Sequence, residues 1–189
     1  MGPELKTEFL VSDHITLRTL HPGDAEAVYE VVDRNREHLQ TFMHWMTPEY
    51  SFESAQEFID RAARKDAEQG LGYGIYRQDS LIGSIGFVEF DWKAGKTEIG
   101  YWIDKNEEGQ GIVSACCRVL IEYAFSDLDL NRIEIRCSVE NTRSAAIPER
   151  FGFRKEGVLR RSEFRNGRLH DFVIYGLLSD EWRASRLNG

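Results

Sequence analysis

The chain has 189 residues, 41% of them apolar and 12% aromatic, with a formal net charge of -8. That length supports one well-buried core and argues against two ordinary domains, so residues 1–189 are expected to form a single domain with its core at about 9–180. The acidic balance disfavours nonspecific nucleic-acid binding and favours cationic partners such as a protonated amine.

The longest apolar runs, such as Leu81 to Phe90, are interrupted by Gly, Ser and Glu and fall well short of the roughly 20 residues that a membrane helix needs. Met1 to Val11 carries Glu4, Lys6 and Glu8 without an apolar segment or cleavage pattern, so no secretory signal is expected and the cytoplasm is the expected compartment. Cys116 and Cys117 are neighbours on a helical pattern and Cys137 lies in a strand pattern, which suits reduced thiols rather than a disulfide framework. His14, His21, His38, His44 and His170 lack the paired spacing of a zinc site, and no metal is expected.

In chain order, His14 to Leu20 alternates as a strand and ends at His21-Pro22-Gly23-Asp24, where Asp24 can cap the following helix. Ala25, Val28, Tyr29, Val31 and Val32 recur at helical spacing to about Leu39, and Ser54 to Glu68 repeats the pattern through Phe58, Ile59, Ala62 and Ala63. Between them, Phe42, Trp45, Met46 and Tyr50 form an aromatic loop that either lines a pocket or packs on the core. Gly70, Gly72 and Gly74 read as a flexible turn leading into a strand. Tyr73 to Arg77, Leu81 to Phe90 and Lys96 to Ile103 form an antiparallel meander, its first turn at Gln78-Asp79-Ser80. Apolar residues at 112, 116, 119, 120 and 123 mark an amphipathic helix before the strand Arg132 to Val139. A short helix from Ser144 to Phe151 and strands at about Phe153 to Phe164 and Leu169 to Leu178 complete the order β-α-α-β-β-β-α-β-α-β-β.

Glu107-Glu108-Gly109-Gln110-Gly111-Ile112 places glycines between a strand and a helix start. Unpaired amides and the helix dipole at such a position favour an anion, and the glycines let a phosphate approach the backbone. Glycines also precede many helices that bind nothing. No Lys-Ser or Lys-Thr follows them, and no G-x-G-x-x-G opens a strand-helix-strand unit, so a nucleotide triphosphatase is disfavoured.

The Gly109-Gln110-Gly111-Ile112 loop resembles the coenzyme A pyrophosphate motif of the GNAT superfamily, and Glu98-Ile99-Gly100-Tyr101-Trp102 resembles the strand before it. Asn141-Thr142-Arg143-Ser144 and Glu149-Arg150-Phe151-Gly152-Phe153 are similar to the family's N-x-x-S and (E/R)-x-G-F signatures. With Ser162 to Gly167 and Asp171 to Leu177, they resemble the RimL-like branch of ribosomal-protein serine N-acetyltransferases. The resemblance covers about residues 9 to 180 and implies a mixed, mostly antiparallel α/β (α+β) sheet of the GNAT fold with helices on both faces. It departs at Glu108, where the family pattern has Gln or Arg, and at Val113, where Gly or Ala is usual. Glu108 should therefore point away from the phosphates or weaken their binding.

The resemblance further implies acetyl-CoA as co-substrate. The backbone of Trp102 and Ile103 would pair with the pantetheine arm, and Gly109, Gln110, Gly111, Ile112 and Val113 would hold the phosphates. Asn141 would bond the pantetheine and Phe151 would pack beside it. Glu163 matches the proposed base of RimL-like enzymes, Glu98 that of some other GNAT enzymes, and Ser144 would protonate the departing thiolate. Bland readings stand beside these: a helix N-cap for Asn141, a first-turn serine for Ser144, a salt-bridging strand residue for Glu163 beside Arg160, Arg161 and Arg165, and a structural strand residue for Glu98. The implied acceptor is a protein N-terminal amine, such as that of a ribosomal protein. Small amines and a noncatalytic acyl-CoA-binding module remain alternatives, and a homo-oligomer is open.

Overall fold

The structure, a computed structural model, describes residues 5–63 and 70–187. Strands β1 (Glu8–Ser12) and β2 (Ile15–Thr19) pair antiparallel, and helices α1 (Ala25–Arg34), α2 (Arg36–Gln40) and α3 (Phe52–Ala63) follow. Strands β3 (Leu71–Arg77), β4 (Ser80–Asp91) and β5 (Lys96–Ile103) form the expected meander. Helix α4 (Ile112–Ser126) crosses to β6 (Arg132–Ser138), and α5 (Thr142–Arg150) leads into the hairpin of β7 (Arg154–Arg165) and β8 (Arg168–Leu178). Helix α6 (Ser179–Leu187) is the last described element. The strands make one eight-stranded sheet in the order β1-β2-β3-β4-β5-β6-β8-β7, antiparallel everywhere except between β5 and β6.

Strand alternation gives each face its own core. Leu17, Ile75, Ile85, Ile99, Ile133 and Ile135 pack against Cys116, Leu120, Ile121 and Ala124 of α4. On the opposite face, Leu20, Tyr76, Leu81 and Trp102 meet Val28, Val31 and Val32 of α1 and Ile59 of α3. Burying one such aliphatic side chain contributes about 1.5–3 kcal/mol. Helices therefore lie on both faces of the mixed sheet, as expected. Among the described residues, no helix is long and apolar enough to cross a membrane.

Several local readings are corrected. Strand β1 lies outside the expected order: of its five residues only Phe9 is buried, while Leu10 is 74% exposed, so it carries no clean alternation. Helix α6 also lies outside it, because among its described side chains Trp182 is the one buried apolar anchor in a polar segment. The helix expected to run to Leu39 breaks at Asn35, whose Nδ2 donates to the Val31 carbonyl at 2.8 Å and whose Oδ1 accepts from the Lys105 amide at 3.0 Å. Asp24 makes no side-chain cap on α1. Its carboxylate turns back to accept from the His21 amide, Arg18 and the Tyr76 hydroxyl. Helix α5 starts at Thr142, two residues early, because Asn141 caps it. Gly72 and Gly74 lie inside β3 rather than in a turn, and a Cβ on Gly74 would strike Tyr76 and Leu81. The expected continuation of α3 through Glu68 lies outside the described residues.

Candidate active site

Strands β5 and β6 pair only at Lys96 with Arg132, Thr97 with Ile133 and Glu98 with Glu134. Beyond these positions β5 stays on β4 as far as Ile103, while β6 stays on β8 as far as Ser138. The two strands splay, and the edge of β5 from Ile99 to Ile103 faces a gap without a strand partner among the described residues. A backbone edge of this kind offers donors and acceptors to an extended chain that carries amides of its own.

At the end of that edge the chain turns into α4. Gly109 and Gly111 both have φ of +76°, a left-handed conformation that other residues adopt only with strain, and a Cβ on either would meet nothing within 4 Å. Gly111 is the N-cap of α4 and has no side chain with which to satisfy the first-turn amides, and the helix ladder begins only with the Ala115 amide on the Gly111 carbonyl at 2.9 Å. The amides of Ile112, Val113 and Ser114 are thus left for an anion, reinforced by the helix dipole. Arg77 braces this loop from outside through Glu107 at 2.5 Å and Gln110 at 2.7 Å. The Gln110 side chain is engaged there and lines no part of the cleft, so a Gln110 contribution to anion binding rests on its backbone. Val113 packs partly buried on the core.

A cleft of about 840 Å³ runs between this loop and α5, and Trp102, Ile103, Gly109, Gly111, Ile112 and Val113 all face it. Glu108 lies in its wall and points at two partners: its Oε1 is 2.9 Å from His38 Nε2 of α2, and its Oε2 accepts from Arg143 Nη1 of α5. On the α5 side, Asn141 is an N-cap in fact, with Oδ1 accepting from the Ser144 amide at 3.0 Å. The cap leaves its Nδ2 unused among the hydrogen bonds of the described residues. The Tyr101 hydroxyl stands 3.1 Å from both the carbonyl oxygen and the Oγ of Ser144. Burial pushes the Tyr101 phenol well above the usual tyrosine range, so it stays a hydroxyl.

A second cleft, of about 890 Å³, opens toward α3 and the β7–β8 hairpin, and it shares Tyr101, Trp102, Asn141 and Ser144 with the first. Both candidate carboxylates face it. Glu98 pairs with Arg136 at 3.2 Å, yet burial holds its carboxyl above the ordinary range, with Glu134 and Glu89 acting in the same direction against Arg136. Glu163 is held by Arg165 at 3.0 Å and by His44 at 3.2 Å. Its placement follows from a bulge in β7, where Arg160, Arg161 and Ser162 stand opposite Asp171 alone and Arg161 adopts φ of 53°. Arg165 is almost wholly buried and also donates to the Phe42 carbonyl at 3.0 Å, tying the aromatic loop to the hairpin.

Phe151 lines neither cleft. It packs on Trp182 with centroids 6.3 Å apart, beneath the Arg118 guanidinium, in the core between α4 and α6. The three cysteines are buried and free, and among the described residues no group of His, Cys, Asp or Glu is arranged to hold a metal ion. Sequence reasoning missed roles for Tyr101, His38 and Arg143, whereas Arg165 was read as a salt-bridge neighbour of Glu163 and is one. Only Tyr101 left a signal, as a polar tip alternating with the core residues Ile99 and Ile103; His38 and Arg143 act through Glu108, far away in sequence.

The profile of the acetyltransferase (GNAT) domain matches residues 14–154. YdaF of Bacillus subtilis (strain 168) is 40% identical over 178 residues, covering 93% of this chain and 97% of the relative. The ribosomal-protein-serine acetyltransferase of Escherichia coli (strain K12) is 29% identical over 172 residues, covering 90% and 96%. Among solved structures, the ribosomal L7/L12 alpha-N-protein acetyltransferase RimL in complex with coenzyme A superposes with a TM-score of 0.86 at 27% identity, over 92% of this chain and 99% of that one. The glycine loop at the start of α4, the open β5 edge and these matches agree: the chain belongs to the GNAT acetyltransferase family and is an acetyl-CoA-dependent N-acetyltransferase.

Proposed function

We propose that this enzyme transfers an acetyl group directly to the N-terminal amine of a protein, with a ribosomal protein as the leading acceptor. The observation that carries this reading is the meeting of two clefts at Tyr101, Trp102, Asn141 and Ser144, with anion-binding amides in one and two carboxylates in the other. The named activities of the E. coli relative and of RimL support the acceptor class.

Acetyl-CoA fits the first cleft by donor chemistry. The first-turn amides of α4 suit its phosphates, and the free edge of β5 at Trp102 and Ile103 suits the amides of its pantetheine arm. Asn141 can present Nδ2 to the same arm because its Oδ1 is spent on the helix cap. This places the thioester where the clefts join and the acceptor amine on the Glu163 side.

A terminal amine with pKa near about 8 is mostly protonated at neutral pH and cannot attack a carbonyl until it loses a proton. Glu163 takes that proton, directly or through water, while Arg165 and His44 fix its orientation. The amine nitrogen bonds to the thioester carbonyl carbon and releases its second proton to water, the carbon–sulfur bond breaks, and the electron pair leaves on sulfur. Ser144 gives its hydroxyl proton to that sulfur and recovers one through Tyr101, whose hydroxyl lies 3.1 Å away. An acetyl-cysteine route is disfavoured because burial raises all three thiols, Cys116 to about 12, leaving no ready thiolate.

The test is release of free coenzyme A in the presence of serine-, alanine- and methionine-starting peptides, N-blocked controls and a panel of small amines. Release that requires a free peptide N-terminus supports the proposal. Turnover with small amines alone would replace the acceptor, and acetyl-CoA binding without release under any acceptor would favour the noncatalytic reading.

A further inference from the structure

The wall of the acetyl-CoA cleft holds an anion of its own. Glu108 follows directly on the 3-10 turn Lys105–Glu107 and precedes Gly109, so its carboxylate sits beside the loop whose amides are free. It is bonded from two other elements at once, by His38 of α2 and Arg143 of α5, and all three residues face the same cleft. Arg143 is otherwise free for a ligand: its side chain is 77% exposed, and Glu108 is its only ion-pair partner among the described residues. Arg143 and His38 are therefore engaged from within the chain, while Arg150, which donates to the Ser114 hydroxyl at 2.5 Å in the same cleft, has no carboxylate partner among the described residues.

Resting on the acetyl-CoA reading of this cleft, we infer that Glu108 is an internal competitor of the phosphates, holding Arg143 and His38 until a phosphorylated ligand displaces it, and so lowers affinity for the donor's phosphates alone. The carboxylate supplies what a phosphate would supply, oxygen acceptors and negative charge, and a phosphate entering beside it meets both repulsion and engaged cations. Exchange of one anion for the other leaves Arg143 and His38 partnered in both states. A purely structural Glu108, by contrast, would help to build the site, and its loss would weaken every ligand.

The experiment titrates coenzyme A and, separately, pantetheine, which lacks the phosphates, into the full-length wild-type chain, Glu108→Gln and Arg143→Gln by calorimetry, and records the melting temperature of each ligand-free protein. Glu108→Gln is expected to tighten coenzyme A on the order of tenfold while leaving pantetheine within about twofold, and to lower the melting temperature without ligand. Arg143→Gln is expected to weaken coenzyme A and spare pantetheine. Unchanged or weaker coenzyme A binding by a folded Glu108→Gln overturns the inference while leaving the acetyltransferase reading intact. Equal tightening of pantetheine also overturns it, since the effect would not run through phosphate. Wild-type protein that binds neither ligand overturns the inference and the cleft assignment together.

Discussion

Glu163 and Glu98 face one cleft from different surroundings, and kinetics can tell them apart. With Glu163 as the base, Glu163→Gln is expected to lower kcat by about 10²–10⁴-fold with little change in KM for acetyl-CoA. A base works only when ionised, so activity falls as pH drops through its pKa. Burial holds the Glu98 carboxyl above the ordinary range, so an acid limb displaced upward that disappears in Glu98→Gln would transfer the role to Glu98. Persistence of the limb in Glu98→Gln, beside the loss of turnover in Glu163→Gln, is the expected outcome. Stability carries a matching sign. A carboxyl with a raised folded-state pKa favours the fold below its unfolded pKa, and that contribution is lost as pH rises through the folded value. Glu98→Gln should therefore melt no lower than wild type at neutral pH. Tyr101→Phe removes only the hydroxyl beside Ser144, and is expected to lower kcat on the order of tenfold while KM for acetyl-CoA holds. At this scale Asn141, Ser144 and Glu163 were legible because they sit in short local motifs. His38 and Arg143 were not, because what gives each its role is Glu108, a partner brought in by the fold, while of the Arg165 contacts only the local one to Glu163 could be read.

At the level of elements, α4 and α5 both begin in ways that serve the cleft. Gly111 needs a left-handed backbone, so Gly111→Ala is expected to cost about 1–2 kcal/mol in a urea melt, from conformation alone since no atom lies within 4 Å of the new methyl. The same variant should weaken coenzyme A, whose phosphates need the approach that the glycine leaves open. Asn141→Ala is expected to cost about 1 kcal/mol through the lost cap and to lower kcat as the first turn carrying Ser144 loosens, whereas Asn141→Asp keeps the cap. The meander, α4 and the final hairpin could be read from period and turn chemistry because each buries a regular face. Strand β1 and helix α6 could not, since among their described side chains each offers one buried anchor, Phe9 or Trp182, and a single anchor has no period. The break at Asn35 was equally silent, because it depends on a side chain that reaches Lys105 far along the chain.

For the molecule as a whole, one sheet with a core on each face explains why the thiols are inert: Cys116 and Cys117 are wholly buried on the sheet-facing side of α4, and burial raises all three thiol pKa values. A thiol reagent should find almost nothing in the native protein and three equivalents once it is unfolded. The continuity of that sheet rests at its centre on three residue pairs between β5 and β6, and everything beyond them on the β5 edge is an open ladder. In hydrogen-exchange terms, the amides of Ile99 to Ile103 that point into the gap face no strand among the described residues, so they should take up deuterium far faster than those of the same strand bonded to β4. A donor that lies along this edge would slow exactly those amides and no others on β5. The polypeptide thus carries a reporter of donor docking in its own backbone, readable even in a protein whose catalytic side chains have all been replaced.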